Sequence, residues 1–112
     1  MKEIIDALNR RVGWDCVVKS YDGWSLVLSS GSSPDNASPF AILSGVSYLA
    51  CPMEFSHPLF RLASKEEKAK IEVVLPIDEG DQVVAFEAET MASTLQHTFF
   101  IVCQSISLVS NA

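Results

Sequence analysis

Cys51, Glu54 and His57 form the only compact run of reactive side-chain types in this chain. A thiol becomes a nucleophile when a neighbouring base removes its proton, and a histidine close behind the cysteine is a candidate base. The run is broken by Pro52 and Pro58, so no regular element fixes its spacing. No glycine-rich turn beside it offers a site for an oxyanion. The expected roles are a cysteine at a strand end and a histidine in a connection.

Metal ligation meets a similar obstacle. His57 and His97 are the only histidines, and zinc takes three or four ligands at recognisable spacing. Glu54 and His57 join His97 only if the fold brings them together. Asp78, Glu79 and Asp81 have the spacing of a turn but lack the alternating oxygen ligands and distal glutamate of a calcium loop. No metal and no cofactor is assigned.

Glu87 and Glu89 stand at i and i+2, on one side of any strand that contains them. Paired carboxyl groups at a fixed separation are the apparatus of glycoside hydrolysis. No sugar-stacking groove accompanies this pair, and the expected role is a solvent-facing strand side able to act as a rigid recognition surface. Trp14, Tyr21 and Trp24 suit either the wall of a ligand cavity or cross-strand aromatic packing. The chain has no phosphate-binding glycine loop, no GxSxG and no dinucleotide fingerprint. No catalytic residue is assigned, and the candidate binding residues are Glu87, Glu89, Tyr21 and Trp24.

Charge narrows the partners. The chain of 112 residues carries 14 acidic and eight basic residues, a net charge of −6. Beyond Lys70 there is neither lysine nor arginine, while Glu72, Asp78, Glu79, Asp81, Glu87 and Glu89 all follow it. Neutralising phosphates needs clustered cations, so nucleic acid is excluded as the expected partner. The same field disfavours anionic membranes and favours a basic protein. No stretch approaches the roughly 18 apolar residues of a membrane helix. Three widely spaced cysteines without Cys-x-x-Cys read as reduced thiols, and the acids at Glu3 and Asp6 do not fit a signal peptide. A cytoplasmic location is therefore expected.

The elements that must position these residues are legible from periodicity. Ile4, Ile5, Leu8 and Val12 make one apolar stripe, predicting a helix over 2–12 that Gly13 ends. Asp22-Gly23 between apolar stretches predicts a two-residue hairpin loop in which Tyr21 opposes Trp24, Lys19 opposes Leu26 and Val17 opposes Leu28. That register turns Tyr21 and Trp24 toward the core. A polar loop over 31–39 leads to a strand over 40–50, where Gly45 marks a bulge or close backbone approach. Residues 53–62 read as an irregular connection. Ser64 and Glu67 have capping-box spacing, predicting a short helix over 65–72. Two further strands are expected at 82–89 and about 97–109, the latter central in the sheet.

These elements predict a single α+β domain over 1–112: an N-terminal helix and a short second helix on one curved, mostly antiparallel sheet of about five strands, or a partly open barrel. Mean hydropathy of +0.23 is high for so small a domain and implies a full core or a covered apolar surface. The leading functional expectation is a small acidic, non-enzymatic protein-binding module, such as an inhibitor or immunity-type protein for a basic partner. The alternatives are a small-molecule-binding domain with a pocket beneath the Tyr21/Trp24 hairpin, and a structural homodimer.

Overall fold

A computed structural model describes residues 1–31, 37–90 and 93–109, with the side chain of Ser93 not included. The polar loop expected over 31–39 falls largely outside these residues. The helix α1 spans Lys2–Arg11, with Glu3 in its first turn and Arg10 and Arg11 in its last, both favourable to the helix dipole. Its apolar stripe buries Ile5 and Leu8. Gly13 is not the left-handed stop expected of it, because Val12 closes the helix in an extended conformation. What Gly13 permits is close approach: a Cβ there would lie 2.6 Å from the Ser30 hydroxyl oxygen, which accepts the Gly13 N–H at 3.2 Å.

Among the described residues eight strands follow in one antiparallel sheet: β1 (Asp15–Tyr21), β2 (Ser25–Ser30), β3 (Ser38–Ser44), β4 (Tyr48–Ala50), β5 (Glu54–Leu62), β6 (Gln82–Thr90), β7 (Ser93–Cys103) and β8 (Ser105–Leu108). Between β5 and β6 lies α2 (Lys65–Glu72). The order across the sheet is β4-β7-β6-β5-β1-β2-β3-β8. The α+β class holds, but eight strands replace the five expected, for two reasons. The strands expected at 40–50 and 97–109 are each broken, at Gly45 and at Gln104. The stretch expected to be an irregular connection is β5, which lies between β1 and β6.

The breaks explain the curvature. β3 runs into β4, and β7 into β8, although the members of each pair stand toward opposite ends of the strand order. Gly45 has φ +68°, and a Cβ there would lie 2.6 Å from the Gln104 side chain. At this corner the Gln104 N–H donates to Ser44 O at 2.9 Å and the Ser47 N–H to Val102 O at 2.9 Å. The sheet thus curls until its ends meet, without becoming a closed barrel.

Inside the curl, Phe86 of β6 is surrounded by Phe55, Phe60 and Phe99 at ring-centroid distances of 4.7, 5.0 and 5.5 Å. Ile5 and Leu8 of α1 cover this core together with Cys16, Val18, Leu26, Leu28, Leu43 and Ile101. Where β1 stops pairing at Ser56, α1 takes over: the Asn9 amide donates to Phe60 O at 2.8 Å and accepts from Phe60 N–H at 2.7 Å. On the outer face a second, smaller core joins Ile71 of α2 to Val83 and Val102, flanked by Leu75, Ile77 and Phe100. That explains why Val83 is as buried as Val84 and Phe86.

The β1–β2 hairpin departs from the expected register. Tyr21 opposes Leu26 and Val18 opposes Leu28, with a bulge at Lys19. A type I′ turn needs positive φ at both central residues, and of Asp22 and Gly23 only Gly23, at +92°, has it. The Asp22 carboxylate accepts the Ser25 and Trp24 N–H groups at 2.7 and 2.9 Å and shapes a longer loop. The two N–H donors, Ser25 first, hold the Asp22 carboxyl below its ordinary pKa. The bulge reverses the parity, so Cys16 and Val18 face the core in place of Val17 and Lys19. Tyr21 and Trp24 are 44% and 56% exposed at the hairpin end, not part of the core.

Candidate functional site

Strand β6 sends Glu87 and Glu89 to the outer face of the sheet, while Val84, Phe86 and Ala88 point into the main core. The neighbouring strands complete the strip. On β5, Leu59 opposes Glu87 and Ser56 opposes Glu89; on β7, Thr98 opposes Glu87. Both sequence-identified acids therefore share one surface, half-buried among their neighbours.

Arg61 organises the Glu87 end. Its Nε and NH2 donate to the two Glu87 carboxylate oxygens at 3.0 and 2.7 Å. Its NH1 and NH2 donate to those of Glu67 at 2.6 and 2.9 Å. One guanidinium thus sits between two carboxylates, each held in the forked geometry that arginine favours. Glu67 is placed by the start of α2: its Oε1 accepts the Ser64 N–H at 2.8 Å while the Glu67 N–H donates to the Ser64 hydroxyl at 3.2 Å, the full capping box. Arg61 first, and the Ser64 N–H second, push the Glu67 carboxyl down to about 2. Arg61 also lowers the Glu87 carboxyl, with a smaller part from the Thr98 hydroxyl, which donates to it at 3.0 Å. The two acids in turn hold the Arg61 guanidinium above its ordinary pKa.

His57 organises the Glu89 end, and Pro58 explains how. A proline has no N–H to give to a ladder, and β5 bulges between Ser56 and Leu59. His57 takes φ +52°, and its N–H donates to Trp14 O at 2.6 Å. That backbone is doubly disfavoured, since a side chain resists the left-handed region and a following proline favours extended conformations. It aims the imidazole at β6, where Nδ1 lies 2.5 Å from Glu89 Oε2. A carboxylate oxygen accepts, so Nδ1 is the donor of this pair. The Trp14 ring lies 5.2 Å from the imidazole at an interplanar angle of 53°. Trp14 is 77% exposed and Leu59 58% exposed, so two apolar side chains flank the acids.

Carboxylates fixed in this way can receive a cationic group. A general acid requires a raised carboxyl pKa, and Glu87 is shifted the other way. The thiol–histidine pairing considered for residues 51–57 does not form: His57 turns to Glu89, and burial pushes the Cys51 thiol up to about 11. Burial likewise raises Cys16, and raises Cys103 to about 11. All three cysteines are unbridged. Among the described residues no three His, Cys, Asp or Glu side chains are placed to hold a metal ion.

Tyr21 and Trp24 belong to a different place. The Tyr21 hydroxyl donates to Val46 O at 3.0 Å and Trp24 O accepts the Val46 N–H at 3.1 Å, clamping the hairpin to the Gly45 corner. Two concavities lie elsewhere. One of about 180 Å³ is bordered by Asp15, Glu54 and Ser56; an apolar one of about 310 Å³ lies between α1 and β5, bordered by Ile5, Phe60 and Leu62. Trp14, His57, Arg61, Glu67 and Thr98 are the members of the strip that sequence reasoning did not connect to Glu87 and Glu89. The signal for Glu67 was its capping-box spacing; nothing local in the sequence pairs Arg61 with Glu87. Among the described residues no helix is long and apolar enough to cross a membrane. No family model, curated protein or solved structure matches the chain.

Proposed function

We propose that this chain is a small acidic, non-enzymatic binding module that receives a basic protein on the outer face of β5, β6 and β7, as an inhibitor or immunity-type protein would. The observation that carries this reading is the strip itself. Two carboxylates, Glu67 and Glu87, are held by fixed hydrogen bonds around one guanidinium, and a third, Glu89, is held by the His57 imidazole. The strip keeps a negative excess and has little side-chain freedom left to lose on binding. Exposed Trp14 and Leu59 beside the acids supply the apolar anchors that dominate binding energy at interfaces, while the acids steer a cationic partner. The net charge of −6 adds attraction at longer range.

Binding of lysine- and arginine-rich peptides, followed by calorimetry at graded salt, tests this reading against neutral peptides of equal length. Affinity for the basic peptides is expected to fall as salt rises. Replacing both Glu87 and Glu89 by glutamine, which preserves shape, is expected to weaken binding about tenfold. Equal affinity for basic and neutral peptides, or an unchanged affinity in the double variant, contradicts the proposal.

A further inference from the structure

Among the described residues His57 alone, glycines apart, has a positive φ, +52°, and Pro58 follows it. Such a backbone is costly, persists only where surrounding contacts hold it, and recurs at ligand clamps. Contacts hold it on both sides. The His57 N–H donates to Trp14 O at 2.6 Å, and Nδ1 lies 2.5 Å from Glu89 Oε2. The Trp14 indole, 77% exposed, rests 5.2 Å from that imidazole. Asp15 of β1 and Glu89 of β6 both oppose Ser56 of β5, so the two acids share the outer face. Among the described residues no lysine or arginine pairs with either: Asp15 accepts the Ser56 hydroxyl at 2.9 Å and Glu89 accepts from His57. Glu87, by contrast, is already occupied by Arg61 and Thr98.

We propose, resting on the basic-partner reading above, that the partner's contact at this end of the strip is an arginine whose guanidinium lies on the Trp14 indole beside Glu89. An exposed indole receives either an apolar group or a cation. An apolar group seated there would strip water from the neighbouring carboxylates and put nothing in its place, which is unfavourable. A cation covers the ring and stays beside the carboxylates, and tryptophan is the aromatic face that cations favour most. Arginine suits the place better than lysine. Its guanidinium is planar and weakly hydrated, so it stacks on a ring while its N–H edge still donates to a carboxylate; the lysine ammonium is a strongly hydrated point charge. The strained backbone of His57 then has a use. It fixes the indole and the Glu89 carboxylate as neighbours of one imidazole before the partner arrives, which lowers the ordering cost of docking.

Calorimetry of the whole chain with two basic peptides of equal length and charge, one carrying arginine and the other lysine, tests the contact, with a neutral peptide as reference. The arginine peptide is expected to bind about fivefold more tightly than the lysine peptide. Trp14→Leu keeps an apolar side chain but removes the π face. With wild-type circular dichroism, it is expected to abolish the arginine preference while affinity for the lysine peptide stays within about twofold. NMR of the wild type requires no variant: at equal saturation the Trp14 indole N–H is expected to shift further with the arginine peptide than with the lysine peptide. Equal affinities for the two basic peptides, both above the neutral one, overturn the arginine contact and leave the basic partner standing. A neutral peptide that binds as well as either overturns both. An arginine preference that persists in Trp14→Leu, or an indole N–H that responds alike to both basic peptides, also overturns the contact.

Discussion

The carboxylates of the outer strip are defined by what holds them. Glu67 is kept at about 2 by Arg61 and the Ser64 N–H, well below the ordinary carboxyl value of about 4.3. A group whose pKa is depressed on folding contributes stability above its unfolded pKa and loses that contribution as pH falls toward the folded one. Stability is therefore expected to drop between about pH 4.5 and pH 2 as Glu67 is protonated. The Arg61 side chain is 38% exposed, so solvent screening limits the effect to about 1 kcal/mol. Urea unfolding at stepped pH checks this: Arg61→Met should flatten the acid limb, and an acid limb identical to the wild type's would show that Arg61 does not hold Glu67. At the other end of the strip, His57 illustrates what spacing alone cannot convey. Its nearness to Cys51 in sequence suggested a thiol–imidazole pair, yet the bulge forced by Pro58 turns the ring to Glu89.

Both helices and the β6 alternation were legible from local signals: an apolar stripe, a capping box, and Val84, Phe86 and Ala88 at period two. The rest depended on long-range pairing. Pro58 argued against a strand over 53–62, but the sheet absorbs it in a bulge, and Asn9, distant in sequence, supplies the main-chain partners for Phe60. Asp22-Gly23 announced a hairpin correctly and its register wrongly, because the Asp22 side chain competes for the loop's N–H groups. Glu87 and Glu89 were recognisable as one strand face, whereas Arg61 and Trp14 reach that face only through neighbouring strands. Gly45 was recognisable as special, and its left-handed backbone is what divides β3 from β4. Gly45→Ala is expected to cost about 2 kcal/mol through the left-handed penalty and displacement of Gln104. Denaturant titration measures it, and a wild-type midpoint would mean that the corner tolerates a side chain.

The molecule as a whole is a curled sheet with its two faces used differently. The inner face, under α1, carries the ring cluster around Phe86; the outer face is divided between the small core beneath α2 and the acidic strip of Glu87 and Glu89. Net charge, exposed Trp14 and exposed Leu59 all favour that strip as the docking face for the basic partner we propose, and not the Tyr21/Trp24 hairpin end, whose main chain and tyrosine hydroxyl are committed to clamping Val46. Amide and indole NMR shifts recorded while an arginine-rich peptide is added distinguish the two surfaces directly. Perturbations should concentrate on Glu87, Glu89, His57, Leu59 and the Trp14 indole, and should fade as salt is raised. Perturbations centred on Tyr21 and Trp24 or on the 78–81 turn, with the β6 strip unmoved, would contradict the assignment of the binding face.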